Sequence, residues 1–302
     1  MKSLLIFALC ILSTACSSNI GLLWRATKNN RVVHILGVTH QVPKDFAAIP
    51  PNALKAFNAS DYFVVESILY GNQSRRYLIS EFEINSKSVA MVDQLRRLDL
   101  IDDATKSALL KATPFEAHGL AGVATYRYLE IHKLNHAFDK LEFVKGVDQQ
   151  LFDKALAAKK TTFNLETPHA AKQAWLEHCN SNDDFQKILM DFENDLKTDR
   201  NAVTRMTGSR VYKNAYYGDY ELVNNEIIDW AKTFPLHEMG MRCSVQPRNK
   251  IWIASLNNIL EKTPSTSQIF VAVGRDHLMT DNNFLKLLES SGYQVERIML
   301  RP

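Results

Sequence analysis

The chain is poor in cysteine, with 4 in 302 residues. No two of them form a Cys-x-x-Cys pair, which removes a thiolate zinc site. Charge of one sign is also lacking. Lys and Arg number 36 against 33 Asp and Glu, a formal net charge of +3, too weak and too evenly spread to favour nucleic acid. Gly119 and Gly122 are not followed by Gly-Lys-Ser/Thr, so they form no phosphate loop. The absence of a Gly-x-Ser-x-Gly elbow argues against a serine hydrolase of the α/β type. There is no low-complexity tract, charge block or Ser/Gly linker after about residue 20, so nothing marks a domain boundary. What remains is ordinary for a globular chain: 46% hydrophobic and 23% charged residues, enough for a sizeable core.

Residues 1–16 read as an export signal rather than as part of the fold. Lys2 precedes an apolar stretch over 4–12, and the small residues Ser13-Thr14-Ala15 lead to Cys16. The stretch is too short to span a bilayer as a stable helix. Small residues ending at a cysteine resemble a bacterial lipobox, in which Cys16 becomes a lipidated first residue that anchors the protein to the outer membrane. Plain cleavage after Ala15 is the alternative. With Cys10 lost in the signal and Cys16 carrying lipid, Cys179 and Cys243 remain, and a periplasmic compartment permits them either a disulfide or two buried thiols.

Short apolar or β-branched runs recur at 31–36, 61–66, 142–147, 161–165, 268–273 and 294–299. Continuous runs of this length suit strands covered on both faces. Helical patterns lie between them: a stripe of Val89, Val92, Leu95 and Leu98, then 104–112 and 148–159, with Pro114 as a break. Residues 170–262 read as almost wholly helical, with a Gly/Pro-containing interruption near 234–247. Residues 282–299 read as helix, turn and strand. The pattern predicts an α/β (α+β) fold: a small mixed, largely parallel sheet with helices packed on it. One domain over 21–302 would carry large helical insertions at about 73–140 and 170–262.

Two of these runs end in the same box, Gly-x-x-His. The first is Gly37-Val38-Thr39-His40 and the second Gly274-Arg275-Asp276-His277. Glu66 ends the 61–66 run, and Glu166 follows Phe163-Asn164-Leu165. Ligands of α/β sheets bind beyond the carboxyl ends of the strands, so parallel strands would bring two imidazoles and two carboxylates to one edge. His40, Glu66, Glu166 and His277 are therefore a candidate set of metal ligands, with an open position at which a bound water becomes a nucleophile. For Glu166 a plainer reading stands beside this, since Thr167-Pro168 after it reads as a helix start.

In Gln246-Pro247-Arg248-Asn249, the proline can open a helix with Arg248 and Asn249 in its first turn. Arg248 there would hold a substrate carboxylate or stabilise an oxyanion, and Asn249 would add a donor. The alternative is an arginine that locks the helical insertion to the sheet. His34 lies within its strand and reads as structural. His132 and His136 have i, i+4 spacing but lack the glutamate of a zincin helix.

These residues, in order, carry a resemblance. Leu23-Trp24-Arg25, the first box with Pro43, Phe63 to Glu66, Gly146-Val147-Asp148, Leu165-Glu166-Thr167, Arg248-Asn249-x-x-Trp252 and Phe270 to Leu278 with Gly292-Tyr293-x-Val295 resemble the TraB/GumN family, which includes the Tiki proteins. More distantly they are similar to erythromycin-esterase and ChaN-type haem-binding proteins. The resemblance implies a metal-dependent hydrolase using manganese or cobalt, with zinc as a further option. It places His40, Glu66 and His277 at catalytic positions and Arg248 with Asn249 at an Arg-Asn pair. The chain departs from the family at Arg275-Asp276, where small residues are usual and where Asp276 would join the substrate site, and at 280–283, where a glycine-containing stretch is usual. The expected function is an exported hydrolase cleaving an amide bond in a peptide or small molecule, in contact with the membrane only through its lipid. The rival is a periplasmic lipoprotein that binds a peptide, haem or envelope partner without chemistry.

Overall fold

The computed structural model describes residues 21–67, 143–178, 209–233 and 235–299. The export signal, Cys16, Cys179, the 73–140 insertion, His132 and His136 lie outside the described residues.

A hairpin opens the fold. Strands β1 (Leu22–Lys28) and β2 (Arg31–Val38) pair antiparallel with Lys28 opposite Arg31. Asn29 and Asn30 between them both take positive φ, 50° and 63°. That is the two-residue turn whose twist matches a hairpin, and asparagine tolerates it best after glycine. After a three-residue strand β3 (Gln41–Pro43), helix α1 (Pro51–Ala59) leads into β4 (Tyr62–Val65). Strand β5 (Phe143–Lys145), helix α2 (Val147–Ala157), β6 (Thr161–Asn164) and α3 (Pro168–His178) follow. The helical region supplies α4 (Ser209–Tyr217), α5 (Tyr220–Thr233), α6 (Pro235–Gly240) and α7 (Gln246–Lys262). Strand β7 (Gln268–Gly274), a 3-10 turn (Arg275–Leu278), α8 (Phe284–Ser290) and β8 (Gln294–Arg297) close the chain.

The six-stranded sheet runs β6-β4-β7-β2-β1-β8. Neighbours among β6, β4, β7 and β2 are parallel, while β1 is antiparallel to both its partners. The expected mixed, largely parallel sheet is therefore present. Burial on both faces explains the unbroken apolar runs. In β7, Ile269, Val271 and Val273 face a core shared with Val223 and Ile227 of α5, Trp252 and Leu256 of α7, and Phe284 of α8. Phe270 and Ala272 face the opposite core, against Phe57 of α1 and Leu151 and Phe152 of α2. Among the described residues, no helix is long and apolar enough to cross a membrane.

Three details differ from the sequence reading. β1 is not among the expected runs, because Arg25 and Lys28 interrupt its apolar pattern; the Asn29-Asn30 turn is its usable signal. The 142–147 run does form a strand, but it pairs with β3 in a separate two-stranded sheet. From 235 onward the expected interruption is absent: residues 235–262 are helical throughout, through a π-helical turn at Met241–Val245. In that wide turn the N–H of Gln246 reaches back to the Met241 carbonyl. Pro247 has no N–H to offer, and the π turn before it absorbs the missing bond.

Candidate active site

The two Gly-x-x-His boxes are neighbours. β2 and β7 pair in parallel with Val38 opposite Gly274, so the boxes leave the sheet side by side, one residue out of step. Their glycines serve space rather than a sharp turn. A Cβ on Gly37 would sit 2.9 Å from Leu278 Cδ1, and one on Gly274 would sit 3.0 Å from Glu66 Oε1, 3.6 Å from His277 Cδ2 and 3.7 Å from His40 Nε2. Both imidazoles and the Glu66 carboxylate thus surround one glycine, as the parallel-edge argument required.

His40 leaves β2 into solvent, its side chain 62% exposed, with Nδ1 2.8 Å from Asp148 Oδ2. Asp148 stands in the first turn of α2. In the sequence it stands only as a family landmark, with no role of its own. Its position depends on Gly146, whose N–H donates to the His40 carbonyl at 2.9 Å. A Cβ there would lie 2.6 Å from that carbonyl and closer still to the Thr39 oxygen, both backbone atoms that cannot swing aside. Gly146→Ala should therefore destabilise the fold by about 3 kcal/mol and part His40 from Asp148. Urea unfolding of the variant tests this; unchanged stability would refute the close approach.

Glu66 and Glu166 lie at adjacent strand ends, with the Glu166 N–H donating to the Glu66 carbonyl at 3.0 Å. Two carboxylates so close repel each other, and Arg248 answers both. Its Nε donates to Glu166 Oε1 at 2.8 Å and its Nη2 to Glu66 Oε2 at 2.8 Å, with a further close contact from Nη2 to Glu166. The other Glu66 oxygen accepts from the Gly274 N–H. Thr167 caps α3 as expected, accepting from the Ala170 N–H at 3.2 Å. Glu166 is held one residue before that cap, its side chain fully buried. Its Oε2 faces the Trp252 indole N–H, but neither reaches hydrogen-bond geometry.

Arg248 reaches the site through its guanidinium and not through an open helix start, because the π turn already engages the backbone there. The buried stripe of Asn249, Trp252 and Leu256 fastens α7 to the sheet, and the Trp252 ring lies 5.0 Å beneath the guanidinium carbon. His277 stacks on the same indole, ring centres 4.0 Å apart. Its Nδ1 is 2.7 Å from Asn249 Oδ1. An amide oxygen only accepts, so Nδ1 carries the proton and Nε2 the lone pair. That lone pair faces Arg248 Nη1 at 3.3 Å.

Each charge state has a cause. Burial lowers the His277 pKa to about 3, so its imidazole is neutral at pH 7. Burial also pushes against ionising Glu66, but the fields of His277 when protonated, Arg248 and His40, with the Gly274 N–H, hold it down at about 2. Burial raises Glu166 above its ordinary value against the pull of Arg248. The hydrogen bond to Asp148, aided by the Glu66 charge, raises His40 to about 9; with so much of its ring exposed, solvent and salt screen part of this.

His277 links the site to stability. Unfolded it titrates near 6.5, and folded near 3. Between those values the unfolded chain binds the extra proton, so stability falls as pH drops, by up to about 1.4 kcal/mol per unit. Glu66 adds to this below about 4.5, losing its contribution as pH falls toward 2. Thermal unfolding at pH 7 and 5 should show a smaller fall in His277→Gln than in wild type; equal falls would contradict a neutral buried His277.

Asp276, expected at the substrate site, is paired with Arg275 Nε at 3.3 Å. Arg275 Nη1 donates to Thr39 Oγ1 at 3.1 Å and lies over the Tyr212 ring, so it ties box to box. Thr280 and Asn282, in the stretch where glycine is usual, both take positive φ. Asn224 Oδ1 accepts the Thr280 N–H at 2.7 Å and holds that turn.

The expected metal does not fit this arrangement. The Arg248 guanidinium lies between Glu66, Glu166 and His277, and one Glu166 oxygen is committed to it. Among the described residues, no three His, Cys, Asp or Glu side chains are grouped to hold a metal ion.

Fold and site together define an α/β protein with a His–Asp pair, a carboxylate and an arginine on the carboxyl edge of a parallel sheet. The chain matches the model of the TraB/PrgY/gumN family over residues 22–297 and belongs to that family. Neither a curated protein nor a solved structure matches it.

Proposed function

We propose that the protein is an exported hydrolase that cleaves an amide bond in a peptide by direct attack of water. The observation that carries this reading is the His40–Asp148 pair at 2.8 Å, with an accessible imidazole beside Glu66 and Arg248. Asp148 holds Nδ1 of the exposed His40 side chain and leaves Nε2 on the side of Glu66 and Gly274, the orientation a general base requires. Deprotonated Nε2 takes a proton from water as the oxygen attacks the carbonyl carbon. The Glu66 charge stabilises the imidazolium that forms. Arg248 Nη1, with only the long contact to His277, is the donor best placed to meet the oxyanion. Collapse breaks the C–N bond, and His40 returns its proton to the leaving amine. Neutral His277 faces Arg248 Nη1 with its lone pair and adds no competing charge.

Export is supported by residues 1–16 and by Cys243, which is buried and disulfide-bonded, a state typical of oxidising compartments; its partner lies outside the described residues. Lipidation at Cys16 would place the protein at the outer membrane, with the lipid as its only membrane contact.

Because His40 must be deprotonated, activity should rise with pH, with a midpoint above 6.5 and no higher than about 9. Asp148→Asn removes the main cause of the shift and should move the midpoint toward 6.5 while lowering the plateau roughly tenfold or more. Peptide-library digestion across pH, with wild type and this variant, tests the assignment. A wild-type rate that falls through this window would make His40 an acid and overturn it.

A further inference from the structure

Arg248 has the attachments of a permanent component. Glu166 beneath it is fully shielded from solvent, and the arginine side chain itself is only 15% exposed. The Trp252 ring supports the guanidinium, and Glu66 and His277 meet its outer nitrogens. Withdrawing it would leave the Glu166 carboxylate buried without a counter-charge. Around the same space, both histidines are prepared in the manner of metal ligands. Each has Nδ1 tied to an oxygen, His40 to Asp148 and His277 to Asn249, which fixes the ring and leaves Nε2 for something else. Nε2 of His40 and the His277 ring stand with Glu66 around the place a Cβ on Gly274 would take.

We infer that Arg248 is the resident cation of this site, holding the place that His40, His277 and Glu66 would otherwise offer to a divalent metal ion. A guanidinium donating to Glu66 and facing the His277 lone pair competes for two of those three ligands and repels a second cation at short range. The inference stands apart from the hydrolase proposal, since it concerns what the site binds and not what it cleaves.

The wild-type protein, purified without chelator, should contain well under one equivalent of manganese, cobalt or zinc. Its melting temperature should not respond to chelator or to added manganese or zinc. Arg248→Met with Glu166→Gln vacates the seat and removes the orphaned charge together. Confirmed as folded by circular dichroism, this double variant should take up one equivalent of zinc or manganese in titration calorimetry. Adding His277→Ala should abolish that uptake. Stoichiometric metal in wild type, lost on His40→Ala, would overturn the inference, and so would a wild-type melting temperature that rises saturably with metal. A folded double variant that binds no metal would overturn it too. Should the double variant not fold, the wild-type metal content and melting temperature decide the matter.

Discussion

Glu66→Gln is expected to lower peptide hydrolysis by at least about 100-fold while the protein still folds. Glutamine keeps the shape and can still accept the Gly274 N–H with its oxygen. Its amide nitrogen, however, would face Arg248 Nη2, setting donor against donor where Oε2 now accepts at 2.8 Å. The charge that favours the His40 imidazolium disappears as well, so the proton is harder to take from water. Loss of a charge-assisted bond should cost about 1.5–3 kcal/mol of stability, visible as a lower melting temperature. The decisive comparison is between rates at a pH where both proteins are folded. A variant as active as wild type would remove Glu66 from the mechanism.

Arg248→Met should be the most destabilising single change in the site, at about 3–5 kcal/mol. Methionine fills much of the space but leaves the buried Glu166 carboxylate and the nearly buried Glu66 without their shared partner. Adding Glu166→Gln should recover a large part of the loss, because the cost lies in the orphaned charge. In the single variant, Glu166 would titrate well above its unfolded value. Such a group loses its stabilising contribution as pH rises, so the deficit relative to wild type should shrink on acidification. A double-mutant cycle in urea, at pH 7 and pH 5, measures both effects. Additive losses would show that Arg248 and Glu166 are not coupled as their 2.8 Å contact implies.

The strand ends were legible because their signal is local. Apolar runs with a charged or histidine residue at the end state where a buried strand stops, and His40, Glu66, Glu166 and His277 were found this way. Thr167 and Pro168 likewise announced α3 by their own backbone chemistry. Asp148 was not legible as a partner. It is separated from His40 by 108 positions, and nothing in Gly146-Val147-Asp148 says which loop it will face. The role of Arg248 was read in outline only. The residue was singled out, but the expected open helix start is replaced by a π turn, and the arginine works through its side chain on two carboxylates.

By itself the sequence determined most strands and helices, though not β1 or β3, together with the family and the residues that end the parallel strands, since periodicity and capping act over a few neighbouring residues. Tertiary structure alone decided that β7 enters between β2 and β4, because strand order is set by which apolar faces can be buried together across the whole chain. That insertion sets the second histidine box beside the first, with Glu66 next to both. It also decided that a guanidinium from the helical region settles between the carboxylates, where two buried negative charges left a place for one positive group.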